Sequence, residues 1–241
     1  MNEVLTQLHE RKSVRVFEDR PIEEEAVETI LNAAIQAPSA GNQQLYSIIR
    51  VKDREKAVQL SESCDHQAFI ADARLILVFC ADCKKWYDAF RYEGCEPRKP
   101  GAGDLLLAVE DALIAAQNAV VAAESLGIGS CYIGDIMEQI ETQREILSLP
   151  EYVFPAAMLV FGYPTAQQKE RRKPSRPELS HIVMIDGYQE KGEAELEALL
   201  SHNCGSQNYH DWLNAFCKRK YNSDFAKEMT RSVEEALKQF R

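Results

Sequence analysis

The stretch GDLLLAVEDALIAAQNAVVAAESLG, residues 103–127, constrains the fold more than any other part of the chain. Wound as a helix, it carries apolar residues around nearly its whole circumference, so it needs cover on several sides. A membrane span is the competing reading. Asp104, Glu110, Asp111, Gln117, Asn118 and Glu124 argue against it, because charge at bilayer depth is costly. The helix over 104–126 is therefore expected at the centre of a folded body. The chain has 241 residues, enough for one large domain or two small ones, and its 45% apolar content is that of a globular protein. A net charge of −10 does not suit a surface built for nucleic acid. No basic-apolar signal pattern opens the sequence, so a cytoplasmic location is expected.

Elements of two periodicities surround this helix. Residues 2–10 predict a short helix, and SVRVF an extended segment. PIEEEAVETILNAAIQA predicts an amphipathic helix, with Pro21 before it, acids in its first turn, and Val27, Ile30, Leu31, Ala34 and Ile35 on one stripe. YSIIRV predicts a strand and 53–63 a helix. ARLILVFCA and FPAAMLVFGYP are unbroken apolar runs, the pattern of strands buried on both faces. SCYIG predicts a short strand; 135–147, 190–201 and 224–240 predict helices; 82–103 shows little pattern and reads as a long loop. Helices interleaved with buried strands place the chain in an α/β or α+β class. Residues 1–200 form the expected core, and 201–241 a helical extension of the same domain.

Four constellations could carry chemistry. In RKSVRVF, residues 11–17, an extended backbone turns Arg11, Ser13 and Arg15 to one side and Val14 and Val16 to the other. Two guanidinium forks around a hydroxyl suit a phosphate dianion, although a solvated edge strand has the same pattern. APSAGNQQ, residues 37–44, breaks a helix with Pro38 and lines up Ser39, Asn42, Gln43 and Gln44, which is either a turn or a loop for a flat polar ligand. GIGSCYIGD, residues 127–135, has glycines that permit close backbone approach but lacks a dinucleotide fingerprint, since Tyr132 stands where the third glycine would be. QQKERRKPSRP clusters Lys169, Arg171, Arg172, Lys173 and Arg176 against the global charge. The five histidines lack metal-ligand spacing, and no G-x-S-x-G elbow is present. The seven cysteines read as reduced thiols; Cys80 and Cys83 form a C-x-x-C whose first member closes a strand rather than opening a redox-active helix. Phosphate grips and polar loops without a nucleophile suit chemistry done by a bound cofactor.

Taken together and in order, ERKSVRVFEDRPI, APSAGNQQ, FCAD, AAQNAVVAAESLGIGSCYIG and FGYP resemble the nitroreductase family of FMN-dependent oxidoreductases, closest to the oxygen-insensitive NADPH nitroreductase and NADPH–flavin oxidoreductase group. The resemblance implies an α+β fold with a mixed sheet flanked by helices, and a long central helix at a homodimer interface. It implies FMN as cofactor, NADPH or NADH as transient reductant, and small-molecule oxidants as partners, with no nucleic acid and no membrane. Chemistry would run at the flavin N5 by a ping-pong cycle toward nitroaromatics, quinones or free flavins. Dehalogenation and flavin fragmentation occur on the same scaffold, and a flavin-binding regulatory protein without turnover is the rival from another class. By position, Arg11, Lys12, Ser13 and Arg15 match the segment holding the FMN phosphate and ribityl chain. Ser39 and Gln67 match flavin contacts, Tyr132, Ile133, Gly134 and Asp135 match the loop by the ring edge, and Lys173 and Arg176 match the basic pair of the phosphate site.

The sequence departs from the group in three places. Asp135 stands where a second glycine is usual. The basic pair is separated by two residues, in KPSR, instead of one. SHNCGSQNYHDW replaces an arginine-bearing segment used on the NADPH 2′-phosphate; His202 and His210 are weak substitutes at neutral pH, and Lys218, Arg219 and Lys220 are the nearby cations that could stand in.

Overall fold

A computed structural model describes residues 1–241. Four strands, β1 (Tyr46–Val51), β2 (Leu75–Asp82), β3 (Gly129–Ile133) and β4 (Val153–Gly162), form one antiparallel sheet in the order β1-β2-β4-β3. The one parallel pairing is an isolated bridge, Ser13 to Ser130, which makes the sheet mixed only at that edge. β2 and β4 are buried along their full length, as their unbroken apolar runs require. Alternate side chains feed two separate cores. Leu75, Leu77, Phe79, Ala81, Leu159 and Phe161 face one, while Ile76, Val78, Cys80, Met158 and Val160 face the other. Pro155 is tolerated inside β4 because a bulge between Phe79 and Cys80 of β2 shifts the register there.

Helices cover both faces. On the first lie α2 (Glu24–Ile35) and α5 (Ala102–Ser125), the latter burying Leu105, Ala108, Ala112, Ala115, Ala116, Ala119, Val120 and Ala123 against sheet and helix. This run of alanines lets α5 lie close to the sheet. α5 is long and apolar enough to cross a bilayer, but this packed face makes it a core helix. Its opposite side leaves Leu106, Leu107, Leu113 and Ile114 exposed. α3 (Arg54–Ser63) and α6 (Ile140–Leu147) cover the second face, and α1 (Glu3–Glu10) packs on α5.

Three sequence expectations change. Residues 82–103 are not all loop: α4 (Lys84–Tyr92) forms there, packing Trp86 and Tyr87 on the core while its mostly polar composition hides the period. The helix expected over 135–147 is split into a 3₁₀ turn at Gly134–Met137 and α6, because Gln139 adopts a left-handed backbone with φ 47°. Val14 is buried but Val16 is 48% exposed, since the N-terminal segment leaves the sheet after the Ser13 bridge.

By contact the chain falls into two compact units, Met1–Arg171 with Glu228–Arg241, and Arg172–Lys227. The second unit therefore starts earlier than residue 201. The end of α11 (Asp224–Leu237) belongs to the first unit, where Ser232, Ala236 and Phe240 are buried. The short α7 (Ala166–Glu170) closes the first unit; α8 (Leu179–Ile182), α9 (Glu193–Leu200) and α10 (Tyr209–Lys220) make up the second. α10 lies within the stretch expected to be a helical extension; it is capped by Asn208 Oδ1 on Asp211 N–H at 3.2 Å and carries a row of rings from Tyr209 through Trp212 to Phe216.

Candidate functional site

The site is built where residues 11–17 cross the end of β3. Val14 N–H donates to Ser130 O at 2.9 Å, which fixes the segment on the sheet edge. Two glycines paired across β3 and β4, Gly129 and Gly162, make the approach possible. A Cβ on Gly129 would lie 2.6 Å from Val14 Cγ2, and one on Gly162 would lie 2.6 Å from the Phe17 ring. Only hydrogen in those positions lets the segment lie flat.

Arg11, Ser13 and Arg15 then gather around Cys131. Burial raises the Cys131 thiol pKa, and the nearby Arg15, Ser13 and Arg11 partly offset that rise. Arg11 Nε is buried and has no partner within the protein. A buried guanidinium nitrogen with nothing to donate to calls for an anion. The Arg15 guanidinium lies over the Phe69 ring at 5.9 Å, beside the Cys131 thiol. Lys12 is placed differently: its Nζ donates to Lys169 O and Arg171 O, each at 2.6 Å, and so fastens the segment to the end of α7. Arg171 in turn donates to Ser13 O. Lys173 and Arg176 belong to the second unit, where Arg176 Nη1 donates to the Pro174 and Ser175 carbonyls at 3.1 and 3.2 Å.

The 37–44 loop is held from within and from below. Gln44 donates to Ser39 Oγ through its backbone N–H at 3.0 Å and its amide at 3.1 Å, leaving the Ser39 hydrogen as the donor the hydroxyl can offer. Gly41, Asn42 and Gln44 all have positive φ, so this is a tight, committed turn. Trp86 Nε1 donates to Gln43 O at 2.8 Å. The main anchor is Asp111 of α5, which is only 3% exposed. Its carboxylate accepts from Ala40 N–H at 2.9 Å, in the middle of the loop, and from Leu45 N–H at 3.0 Å, just past its end. Sequence reasoning missed this role; the available signal was a lone acid on the alanine face of the most buried helix.

The third wall runs from β3 into the turn that follows. Ile133 is buried, and the Tyr132 hydroxyl donates to Gln117 Oε1 at 3.3 Å, with burial pushing its pKa up to about 12. At Gly134 a Cβ would meet nothing within 4 Å, so the backbone there borders open space. Gln67 reaches this turn from the loop after α3, donating to Asp135 Oδ2 at 2.9 Å. The first unit thus brings together Arg11, Ser13, Arg15, Gln67, Tyr132, Gly134 and Asp135 around β3. The orphaned Arg11 nitrogen, the converging cations and the open backbone at Gly134 fit a ligand with an anionic tail.

The Nitroreductase family model matches residues 8–163, a span that includes all of these residues. The chain belongs to the nitroreductase family. It is 32% identical over 85% of its length to 82% of a Cr(VI) reductase from a Pseudomonas species. It is also 32% identical, over 74% of its length, to 72% of an FMN reductase [NAD(P)H] from Bacillus subtilis. The solved structure of B. megaterium NfrA2 superposes with a TM-score of 0.83 at 30% identity, covering 98% of both chains. The match to this nitroreductase-fold structure extends over both units of the chain, and the α+β fold expected from the sequence is the fold observed.

Proposed function

We propose that this member of the nitroreductase family is an FMN-dependent oxidoreductase that passes two electrons from NAD(P)H to nitroaromatics, quinones or free flavins. The observation that carries the reading is the buried, unpartnered Arg11 nitrogen beside Ser13 and Arg15, within the span matched by the family. When bound, FMN supplies hydride acceptance from the nicotinamide and delivery of two electrons to the oxidant, in ping-pong order. The protein's part is to bind and orient. Arg11 and Arg15 neutralise the phosphate, and Ser13 adds a hydroxyl. Ser39 offers its hydrogen and Gln67 its amide to the polar parts of the cofactor, while Gly134 lets backbone approach the ring without a side chain between. Lys12 works indirectly, by holding the phosphate segment to α7. No nucleophile is assigned, because the cofactor carries the chemistry.

The working form in this reading is a cytoplasmic homodimer. Support comes from the outward apolar row of α5, with Leu106 65% exposed and Leu107, Leu113 and Ile114 beside it, which a second copy would cover. The purified protein should be yellow, with flavin absorption bands that bleach on adding NADPH or NADH. A colourless protein that takes up no FMN ends this reading; a yellow one that neither nicotinamide bleaches favours a flavin-binding protein without turnover. Arg15→Ala should weaken FMN binding roughly tenfold to a hundredfold, through loss of a charged hydrogen bond of about 1.5–3 kcal/mol.

A further inference from the structure

The amide of Gln67 is spoken for on one side. Its Nε2 donates both hydrogens to the protein, one to Cys64 O at 2.8 Å and one to Asp135 Oδ2 at 2.9 Å. Neither acceptor can donate in return, so the amide cannot turn over, and Oε1 is the end left to face a ligand. The backbone of Gln67 is equally fixed: its N–H donates to Ser61 O at 3.0 Å, and its carbonyl accepts from Ser61 Oγ and Ile70 N–H, each at 3.0 Å. Without Asp135, one amide hydrogen would be free to reach outward.

We propose that Asp135 is a positioning residue that consumes the second N–H of Gln67, so that the carboxylate and the amide together present only acceptors to the cofactor. This inference rests on the FMN reading above. A site edge made of acceptors and one negative charge disfavours the electron-rich, reduced form of a bound flavin relative to the oxidised form. Removing Asp135 takes away the charge and releases a donor, both of which favour the reduced form. The effect is a property of the binding equilibrium, separate from turnover.

The test is the ratio of affinities for oxidised and reduced FMN, measured on the full-length protein by flavin titration in air and under anaerobic reduction. Asp135→Asn keeps the shape and removes the charge; Asp135→Gly also frees the Gln67 hydrogen. We expect the preference to move toward reduced FMN by about tenfold in Asp135→Gly and by less in Asp135→Asn; tenfold corresponds to about 30 mV in midpoint potential. In a Gln67→Leu background the step from Asp135→Asn to Asp135→Gly should vanish, because the donor it releases is gone. An unchanged ratio in both single variants, or an Asn-to-Gly step that persists without Gln67, overturns the proposal. Wild-type protein that binds no FMN in either form would instead overturn the FMN reading itself, so the two failures are distinguishable.

Discussion

Two carboxylates lie almost equally deep in this molecule and are handled in opposite ways. Asp111, 3% exposed, meets two backbone N–H donors that join α5 to the 37–44 loop. Glu138, 5% exposed, follows the turn after β3 and has an Oε1 with no partner. Asp135, Asp65 and Glu228 are the charges that act on it, and all three are of its own sign. Burial first, and those three carboxylates after it, push its pKa from 4.5 up to about 7. Depth alone does not decide whether a buried acid helps; the donors that meet it do. One carboxylate builds the site, and the other is a strained group beside it.

The largest expected effect breaks the first half of that contrast. Asp111→Ala leaves two buried N–H groups without an acceptor. At about 2 kcal/mol for each charged hydrogen bond, the protein should lose about 4 kcal/mol and its Tm should fall by roughly 8–16 °C. FMN retention should fail with it, because the loop is released at its middle and at its exit into β1. A variant with wild-type Tm and full FMN content would show that the loop does not depend on this anchor.

The second effect has the opposite sign and depends on pH. Glu138 is neutral in folded and unfolded chains below pH 4.5. Between 4.5 and about 7 the unfolded chain releases the proton while the folded one keeps it, so stability falls as pH rises through that window. Above pH 7 the loss levels off at about 1–3 kcal/mol. Glu138→Gln should therefore stabilise the protein by about 1–3 kcal/mol at pH 8 and do little at pH 4. Urea melts at both pH values check this; an equal effect at the two would place the cause in packing instead of charge.

The same contrast marks what could be read from the sequence. The two buried strands, the central helix and the motifs of residues 11–17 and 127–135 were legible, because periodicity and residue type report burial directly. The helix at 84–92 was not: Trp86 and Tyr87 supply its packing, but the lysines and arginine around them mask the apolar face. The break at Gln139 was hidden because it lies in a backbone angle that no composition rule reports. Asp111 is visible as an acid in an apolar helix, but its role as a loop anchor is not, because its partners are 66 and 71 residues away in sequence. Lys12 sits inside the phosphate motif, yet its ammonium is taken by the Lys169 and Arg171 carbonyls at the end of α7, which spacing alone does not foretell.

A third experiment asks whether the N-terminal segment, placed by steric fit, behaves differently from the loop held by Asp111. Gly129→Ala puts a methyl 2.6 Å from Val14 Cγ2 and 2.9 Å from its Cβ. Overpacking of this kind costs about 1–3 kcal/mol, and the segment is the part that can move. FMN affinity should then fall more than Tm does, the reverse of a purely structural lesion. Adding Val14→Ala removes both Val14 methyl groups and should restore part of the binding. If the double variant binds FMN no better than Gly129→Ala, the close approach is not what positions Arg11 and Arg15.

The smallest effect sharpens the rule that a buried group is defined by its partners. Cys83 is 5% exposed at the start of α4, three residues after Cys80, which lies wholly inside β2. Burial pushes both thiols up to about 12, with Asp104 and Asp82 adding at Cys83 and Asp82 at Cys80, so both are neutral at physiological pH. Neutral thiols need no counter-charge and make poor nucleophiles, so neither resembles a redox dithiol. Unlike Glu138, they cost nothing by staying protonated. Cys83→Ser should change stability by no more than about 1 kcal/mol and leave NAD(P)H oxidation by the FMN-loaded protein intact. A large loss of turnover with unchanged FMN content would return the C-x-x-C pair to the chemistry.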